Sequence, residues 1–186
     1  MTVFWIILGV VVVLFILYII AAYNGLIRLK NRVDSAWAQI AVQLKRRLDL
    51  IPNLVETVKG YAAHERGTLE AVVNARNAGL SASGGSPKEQ AAADNMITGA
   101  LKQLFALREA YPDLKANQNF LALQEELTAT EDKVSYSRQF YNDGVQRLNT
   151  KIAQFPAVII AKRMNLGTRE YFEAEPEASV APKVQF

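Results

Sequence analysis

An all-α fold, in which an N-terminal transmembrane helix continues into an antiparallel bundle of long helices, is predicted by three observations. Residues 3–22 (VFWIILGVVVVLFILYIIAA) form an uncharged apolar run of about 20 residues, the length a helix needs to cross a ~30 Å hydrocarbon core. Beyond it, apolar residues recur over long stretches at steps of three and four, the α-helical period. No strand signal competes with these stripes.

The first element is the apolar run itself, read as a retained anchor rather than a cleaved signal. A secretory signal has a basic start, an apolar region of roughly 7–15 residues and a small-x-small cleavage site. Here no Lys or Arg precedes the run, the run is longer, and only Ala21-Ala22 stand at its end. The next stripe is Leu26, Leu29, Val33, Trp37, Ile40, Leu44, Leu48, Ile51, Val55, Val58 and Ala62. It predicts one helix continuous with the anchor, with Asn24-Gly25 as the only hinge candidate. Pro52 removes a backbone hydrogen bond, yet the stripe keeps phase through it, so a continuous helix is expected, extending past Leu69, Val72 and Val73 to about Gly79.

A Gly/Ser segment, Leu80 to Ser86, follows and has the composition of a flexible linker. Ser86, Pro87 and Glu89 then form a capping box with proline at the first helical position. The helix they open carries Ala93, Ile97, Leu101, Leu104, Leu107 and Tyr111, and Pro112 limits it. A third long helix starts near Asn119 and runs through Phe120, Leu127, Val134, Tyr141, Val145 and Leu148 to Phe155, with a period close to a heptad that favours bundle packing. Pro156 interrupts it, and a short apolar helix from Ala157 to Met164 precedes a stop at Gly167. The expected organisation is a transmembrane anchor over 1–22, a helical bundle domain over 23–167, and a mostly extended or mobile tail over 168–186.

Composition bounds the chemistry. The chain has 21 basic and 18 acidic residues, net +3, which gives no sign of a nucleic-acid surface. It has no cysteine, so disulfides, thiol nucleophiles and thiolate metal ligands are excluded. Its one histidine, His64, sits in Ala63-His64-Glu65, and no G-x-S-x-G turn accompanies any serine. A zinc site needs three or four ligands, so no catalytic, cofactor or metal residue is assigned. Asp49 and Glu56 share a helix face, but with Arg46, Arg47 and Lys59 nearby they read as surface ion pairs.

Two segments carry a family resemblance. YNGLIRLKNRVDSAWAQIAVQLKRRLDLIPNLVETVKGYAAHE at 23–65 and YPDLKANQNFLALQEELTATEDKVSYSRQFYND at 111–143, with NTKIAQFPAVIIA at 149–161, resemble the LemA family of bacterial membrane proteins. The resemblance covers nearly the whole chain. It implies a single-pass, LemA-like all-helical protein with its helical domain in the cytoplasm, and it brings no assigned catalytic activity. One departure is Leu148 before Asn149, where the family more often has an aromatic residue.

Four groups of residues are singled out as candidates. Arg28, Lys30 and Arg32 flank the apolar run and could meet an anionic leaflet, whereas no side-chain cation precedes it; this asymmetry predicts an outside N-terminus and a cytoplasmic domain in the cell membrane. Lys45, Arg46 and Arg47 form a candidate interaction cluster or a solvated face paired to Asp49 and Glu56. At ~1.5 Å per residue they lie roughly 35 Å along a continuous helix from Ala22, beyond reach of the membrane. Thr130, Ser137 and Tyr141 occupy inward phases and form a candidate polar layer, with Asn31, Asp34, Gln39, Gln43 and Asn53 as reciprocal partners, or a small ligand pocket. Leu26, Phe155 and Met164 are candidate self-contacts, because the long stripes exceed what one bundle needs to cover.

The functional expectation is a non-enzymatic, membrane-tethered helical scaffold that self-assembles, in an envelope-related role. Its partners are the lipid bilayer and further copies of the chain, with no nucleic acid. An accessory or regulatory subunit of a membrane protease or transporter, with a membrane-protein partner, is the alternative. A hydrolase using His64 is the third reading.

Overall fold

A computed structural model describes residues 1–173 of the protein. Six α-helices follow one another: α1 (Thr2–Lys59), α2 (Arg66–Ala82), α3 (Pro87–Ala106), α4 (Pro112–Lys115), α5 (Gln118–Ala153) and α6 (Ala157–Arg163), with a 3-10 turn at Leu107–Glu109. No strand occurs among the described residues. The described residues divide into two compact units, one of residues 1–37 and 140–169, the other of residues 38–139 and 170–173. Helices α1 and α5 contribute residues to both.

In the second unit four helical segments alternate in direction around one apolar core. Helix α2 runs back along α1: Gly79 lies so close to Leu48 that an added Cβ would stand 2.7 Å from Leu48 Cδ2. Helix α3 runs with α1, since Arg47 meets Asp94 and, further on, Tyr111 donates to Glu65. Helix α5 returns, with Asn117 donating to Tyr61 and Glu126 accepting from Arg46. The core collects Ile51, Leu54 and Val58 of α1, Val72 of α2, Leu104 of α3 and Phe120 of α5, all 1% exposed or less. Phe105 and Phe120 meet edge to face, with centroids 6.1 Å apart.

Continuity of α1 through Pro52 is as the stripe predicts, and the structure shows how the lost bond is replaced. Residue 52 has no N–H to give the Leu48 carbonyl four residues back. Arg76 of α2 supplies the donor instead, its Nε 3.0 Å from Leu48 O. The proline itself is exposed, so its ring displaces no core side chain.

The predicted extension of this helix to Gly79 is corrected. Helix α1 stops at Lys59, a turn occupies residues 60–65, and α2 is a separate helix. Glycine at position 60 costs a helix interior about 1 kcal/mol. Folding back also lets Leu69, Val72 and Ala75 enter the core that Leu48 to Val58 already line, which a straight continuation would forgo. The Gly/Ser segment is likewise no loose linker: residues 80–82 complete α2 and residues 83–86 form a tight turn. Ser83 Oγ donates to Gly79 O, Gly85 N to Ala82 O and Gln90 Nε2 to Gly85 O, with Gly84 at φ +84°. The capping box forms as predicted: Glu89 N donates to Ser86 Oγ and Ser86 N to Glu89 Oε2. Helix α5 begins one residue before the predicted start, capped by Asn117, which accepts from Phe120 N.

In the first unit α1 and α5 pack antiparallel. A Cβ on Gly144 would stand 3.3 Å from Val33 Cγ2, so a larger residue there would require the Val33 side chain to give way by a few tenths of an ångström. Half-buried Trp37 lies against Tyr141 with ring centroids 5.3 Å apart, and the Arg32 guanidinium sits 4.7 Å from the Phe140 ring centre. After α6 the chain returns along α1, where Arg169 reaches Asp34 at 3.0 Å and pairs its backbone with the Asn149 amide in both directions. The tail expected to be extended or mobile over 168–186 falls mostly outside the described residues. Within them, residues 168–173 carry no helix and Phe172 is 1% exposed.

If Arg76 replaces the donor that Pro52 lacks, Arg76→Ala should destabilise the protein by about 1–3 kcal/mol, the cost of leaving a buried acceptor unpaired. In a Pro52→Ala background, where residue 52 regains its N–H, the same change should cost measurably less. Chemical unfolding of the four proteins in detergent gives the coupling energy. Strict additivity would mean the Arg76 contact does not compensate the proline.

Candidate functional site

The most unusual chemistry of the second unit is a charged group inside its core. Arg47 stands on α1 at a spacing of seven from both Ile40 and Leu54, so helical geometry turns it inward with them. Its side chain is 3% exposed. Nη1 lies 2.5 Å from both Asp94 Oδ1 of α3 and Glu131 Oε2 of α5, and Nη2 donates to Thr98 Oγ1 at 3.0 Å. One guanidinium thus ties three helices together. Nε, also buried, has no hydrogen-bond partner, and neither does the buried Gln43 Oε1.

Burial pushes the Asp94 carboxyl above its ordinary value; Arg47 pulls it back and the nearby Glu131 pushes it further up. Desolvation therefore outweighs attraction at this acid. An acid with a raised folded value holds its proton more readily when folded. Its contribution to stability is full below the unfolded value and is lost as pH rises through the folded one.

Beside this cluster an open groove of about 580 Å³ is lined by Gln39, Val42, Gln43, Asp132, Tyr136 and Ser137, among others. Val42 is 62% and Tyr136 74% exposed, so two large side chains stand at its rim without apolar cover. Among the described residues no group of three or more His, Asp or Glu is placed to hold a metal ion. His64 is exposed in the turn between α1 and α2, and its neighbour Glu65 accepts from Tyr111, which raises the Tyr111 phenol above its ordinary value.

The candidate residues are distributed differently from the sequence expectation. The cluster Lys45, Arg46 and Arg47 is not one surface: Lys45 pairs with Asp49, Arg46 with Glu126, and Arg47 is inside. This is a correction with a simple cause, since three consecutive helical residues span about 200° of the helix circumference. Glu56 pairs with Lys59 instead. Leu26 is corrected as a self-contact, because it is 0% exposed within the first unit; Phe155 is 80% exposed and Met164 half-buried. Of the polar positions, Thr130 is buried but donates to Glu126 O of its own helix, Ser137 lines the groove, and Tyr141 is buried against Trp37. Arg28 and Arg32 are exposed, and Lys30 is paired to Asp34.

An all-α chain whose N-terminal helix carries an exposed apolar run long enough to cross a membrane belongs to the class of membrane-associated helical proteins. The chain belongs to the LemA family, whose model matches residues 36–186. It is similar to Protein LemA of Metamycoplasma hominis, 29% identical over 153 residues that cover 81% of this chain and 68% of that protein. It is also similar to Magnetosome protein MamQ 2 of Paramagnetospirillum magneticum, 24% identical over 89% of this chain and 70% of that one. Magnetosome protein MamQ of Magnetospirillum gryphiswaldense is 22% identical, covering 88% and 69%. The family match begins at residue 36, beyond the apolar run.

Removing Arg47 should expose the balance inside the cluster. Arg47→Met leaves the buried Asp94 without its counter-charge and is expected to cost about 3–5 kcal/mol near neutral pH, while Arg47→Met with Asp94→Leu should recover most of the loss. Asp94→Asn alone should gain stability relative to the parent as pH rises from about 4 toward neutrality, because the parent loses the contribution of a raised carboxyl over that interval. Thermal unfolding across pH measures both. A stability difference that stays flat with pH would show that Asp94 does not titrate differently in the folded state.

Proposed function

We propose that the protein is a non-enzymatic, single-pass membrane tether whose helical part is a scaffold on the cytoplasmic side. The observation that carries this reading is the state of α1. Residues 1–21 are all exposed, and the helix proceeds without a break into a stretch where one face is buried, beginning with Ala22 and Leu26. Exposing that much contiguous apolar surface to water is costly at about 25 cal/mol per Å², whereas a bilayer removes the cost. The basic residues Arg28, Lys30 and Arg32 after the run support a cytoplasmic helical part and an outside N-terminus.

The scaffold reading is supported by the groove at Val42 and Tyr136, a surface suited to a second helical face. We assign it first to another copy of the chain, which makes the protein a homo-oligomer. The second reading, an accessory subunit of a membrane enzyme, rests on the same groove filled by a different protein. Neither LemA nor MamQ is the name of an enzyme, which fits either reading and favours neither. An envelope-related role belongs to this proposal as well.

Deleting residues 1–22 should leave a helical protein in the soluble fraction, while the full chain stays with membranes after carbonate washing. Val12→Arg should weaken insertion by about 2.5–3.5 kcal/mol. Labelling of a cysteine placed at the exposed Lys102 from outside intact cells would refute the cytoplasmic side. Purification in mild detergent decides the occupant of the groove: one species of defined multiple mass supports the scaffold, and a stoichiometric second protein supports the accessory subunit.

A further inference from the structure

The corner between α5 and α6 turns two large apolar side chains outward. Phe155 is 80% and Ile159 57% exposed, while Ala157 and Ala161 on the other side of the short helix are 1% exposed each. Scattered apolar residues on a surface need no explanation. These two are distinguished by where the fold puts them. Gly144 packs on Val33 and Tyr141 on Trp37, so α5 runs antiparallel to α1. Both helices rise about 1.5 Å per residue, and the nine positions from Gly144 to Ala153, where α5 ends, match the nine from Val33 back to Asn24, two residues after the apolar run. The return of the chain gives the same level independently, because Met164 and Asn165 share a groove with Tyr23 and Ile27 while Arg169 reaches Asp34. Ala22 and Leu26 are also the first residues of α1 to be buried.

Charge is segregated to the same unit. Residues 1–37 and 140–169 contain eight basic residues (Arg28, Lys30, Arg32, Arg147, Lys151, Lys162, Arg163 and Arg169) and two acids, Asp34 and Asp143. Between Gly144 and Arg169 there is no acid at all. Lys162 and Arg163 end α6 and are exposed, as is Arg28.

We propose that the α5–α6 corner is a second membrane contact, in which Phe155 and Ile159 enter the interface of the leaflet that α1 leaves and Arg28, Lys162 and Arg163 meet its anionic headgroups. This rests on the reading of α1 as a span. A short helix with apolar residues on one side and basic residues beside them lies in the headgroup boundary for the same reasons as longer interfacial helices. The occupant is the bilayer rather than a sister chain because the exposed pair is level with the end of the apolar run and framed by cations.

The absence of cysteine makes the test direct. Single variants Leu14→Cys, Phe155→Cys, Ile159→Cys and Lys102→Cys of the full chain are labelled with a nitroxide and reconstituted in phosphatidylcholine–phosphatidylglycerol vesicles. Collision with oxygen, which concentrates in lipid, is compared with collision with a water-soluble nickel chelate. The oxygen-to-nickel ratio at Phe155 and Ile159 should exceed that at Lys102 several-fold and fall below that at Leu14. It should drop when phosphatidylglycerol is omitted or when Lys162→Glu and Arg163→Glu are introduced. Ratios at both corner sites equal to that at Lys102, with Leu14 still in hydrocarbon, overturn the second contact and leave the span intact. A nickel-accessible Leu14 overturns both. Spin–spin broadening at Phe155 and Ile159 would instead show a second copy covering the corner and overturns the lipid assignment.

Discussion

The passage of α1 through Pro52 is the constraint on which the second unit depends. A proline in the middle of a long helix leaves one carbonyl without its donor and would ordinarily end or bend the helix there. Arg76 closes that gap at Leu48, and Gly79, three residues further on in α2, lets the two backbones approach over the same side chain. The compensation is local, but its consequence is not. Because α1 survives Pro52, a single helix carries the apolar run, the stripe of the first unit and the core face of the second.

Arg47 acts on the same helix in a different way. Burying an ion pair such as Arg47 and Asp94 is seldom a route to stability, since the desolvation cost of each tends to consume the attraction between them. Asp94 shows this directly, with burial outweighing the pull of Arg47 on its carboxyl. What the cluster supplies is register. A guanidinium shared by Asp94 of α3 and Glu131 of α5 is satisfied at one alignment of those helices, whereas hydrophobic attraction is non-directional. The capping box at Ser86 and the bonded turn before it fix the α2–α3 hairpin by short-range means; Arg47 fixes what the hairpin cannot.

Much of the architecture was legible in the sequence. The all-α class, the continuity of α1, the capping box and the interruption at Pro156 follow from period, turn residues and proline chemistry, whereas α3 stops at Ala106, before the expected limit at Pro112, which instead opens α4. The misreadings have physical reasons. Ala62 and Leu69 keep the helical phase across residues 60–65 although the chain reverses there, so periodicity alone conceals a hairpin whose two arms face the same core. Lys45-Arg46-Arg47 looks like a cluster because it is contiguous, yet a helix spreads neighbours apart. The spacing of seven from Ile40 and from Leu54 was the available signal that Arg47 points inward. Asp94, three before Ile97 and seven before Leu101, carried the same signal. Leu26 extends the apolar stripe of α1, and one sequence does not show that the residue is buried or that the chain after α6 returns along α1 to Asp34.

That return also changes how charge near the membrane should be counted. The topological bias of cations is usually tallied along the chain, within about 15–20 residues of a span, and by that measure this protein offers Arg28, Lys30 and Arg32. The fold gathers Lys162, Arg163 and Arg169 into the same unit from more than a hundred residues away, while 16 of the 18 acids lie elsewhere in the chain. A soluble surface gains nothing from such separation, since mixed signs serve solubility as well and repel less. A unit that contains the apolar run and faces an anionic leaflet gains from every added cation, through attraction that survives only within about one Debye length of the lipid. Segregation of charge by unit, rather than by sequence, is therefore what a membrane on that side would select.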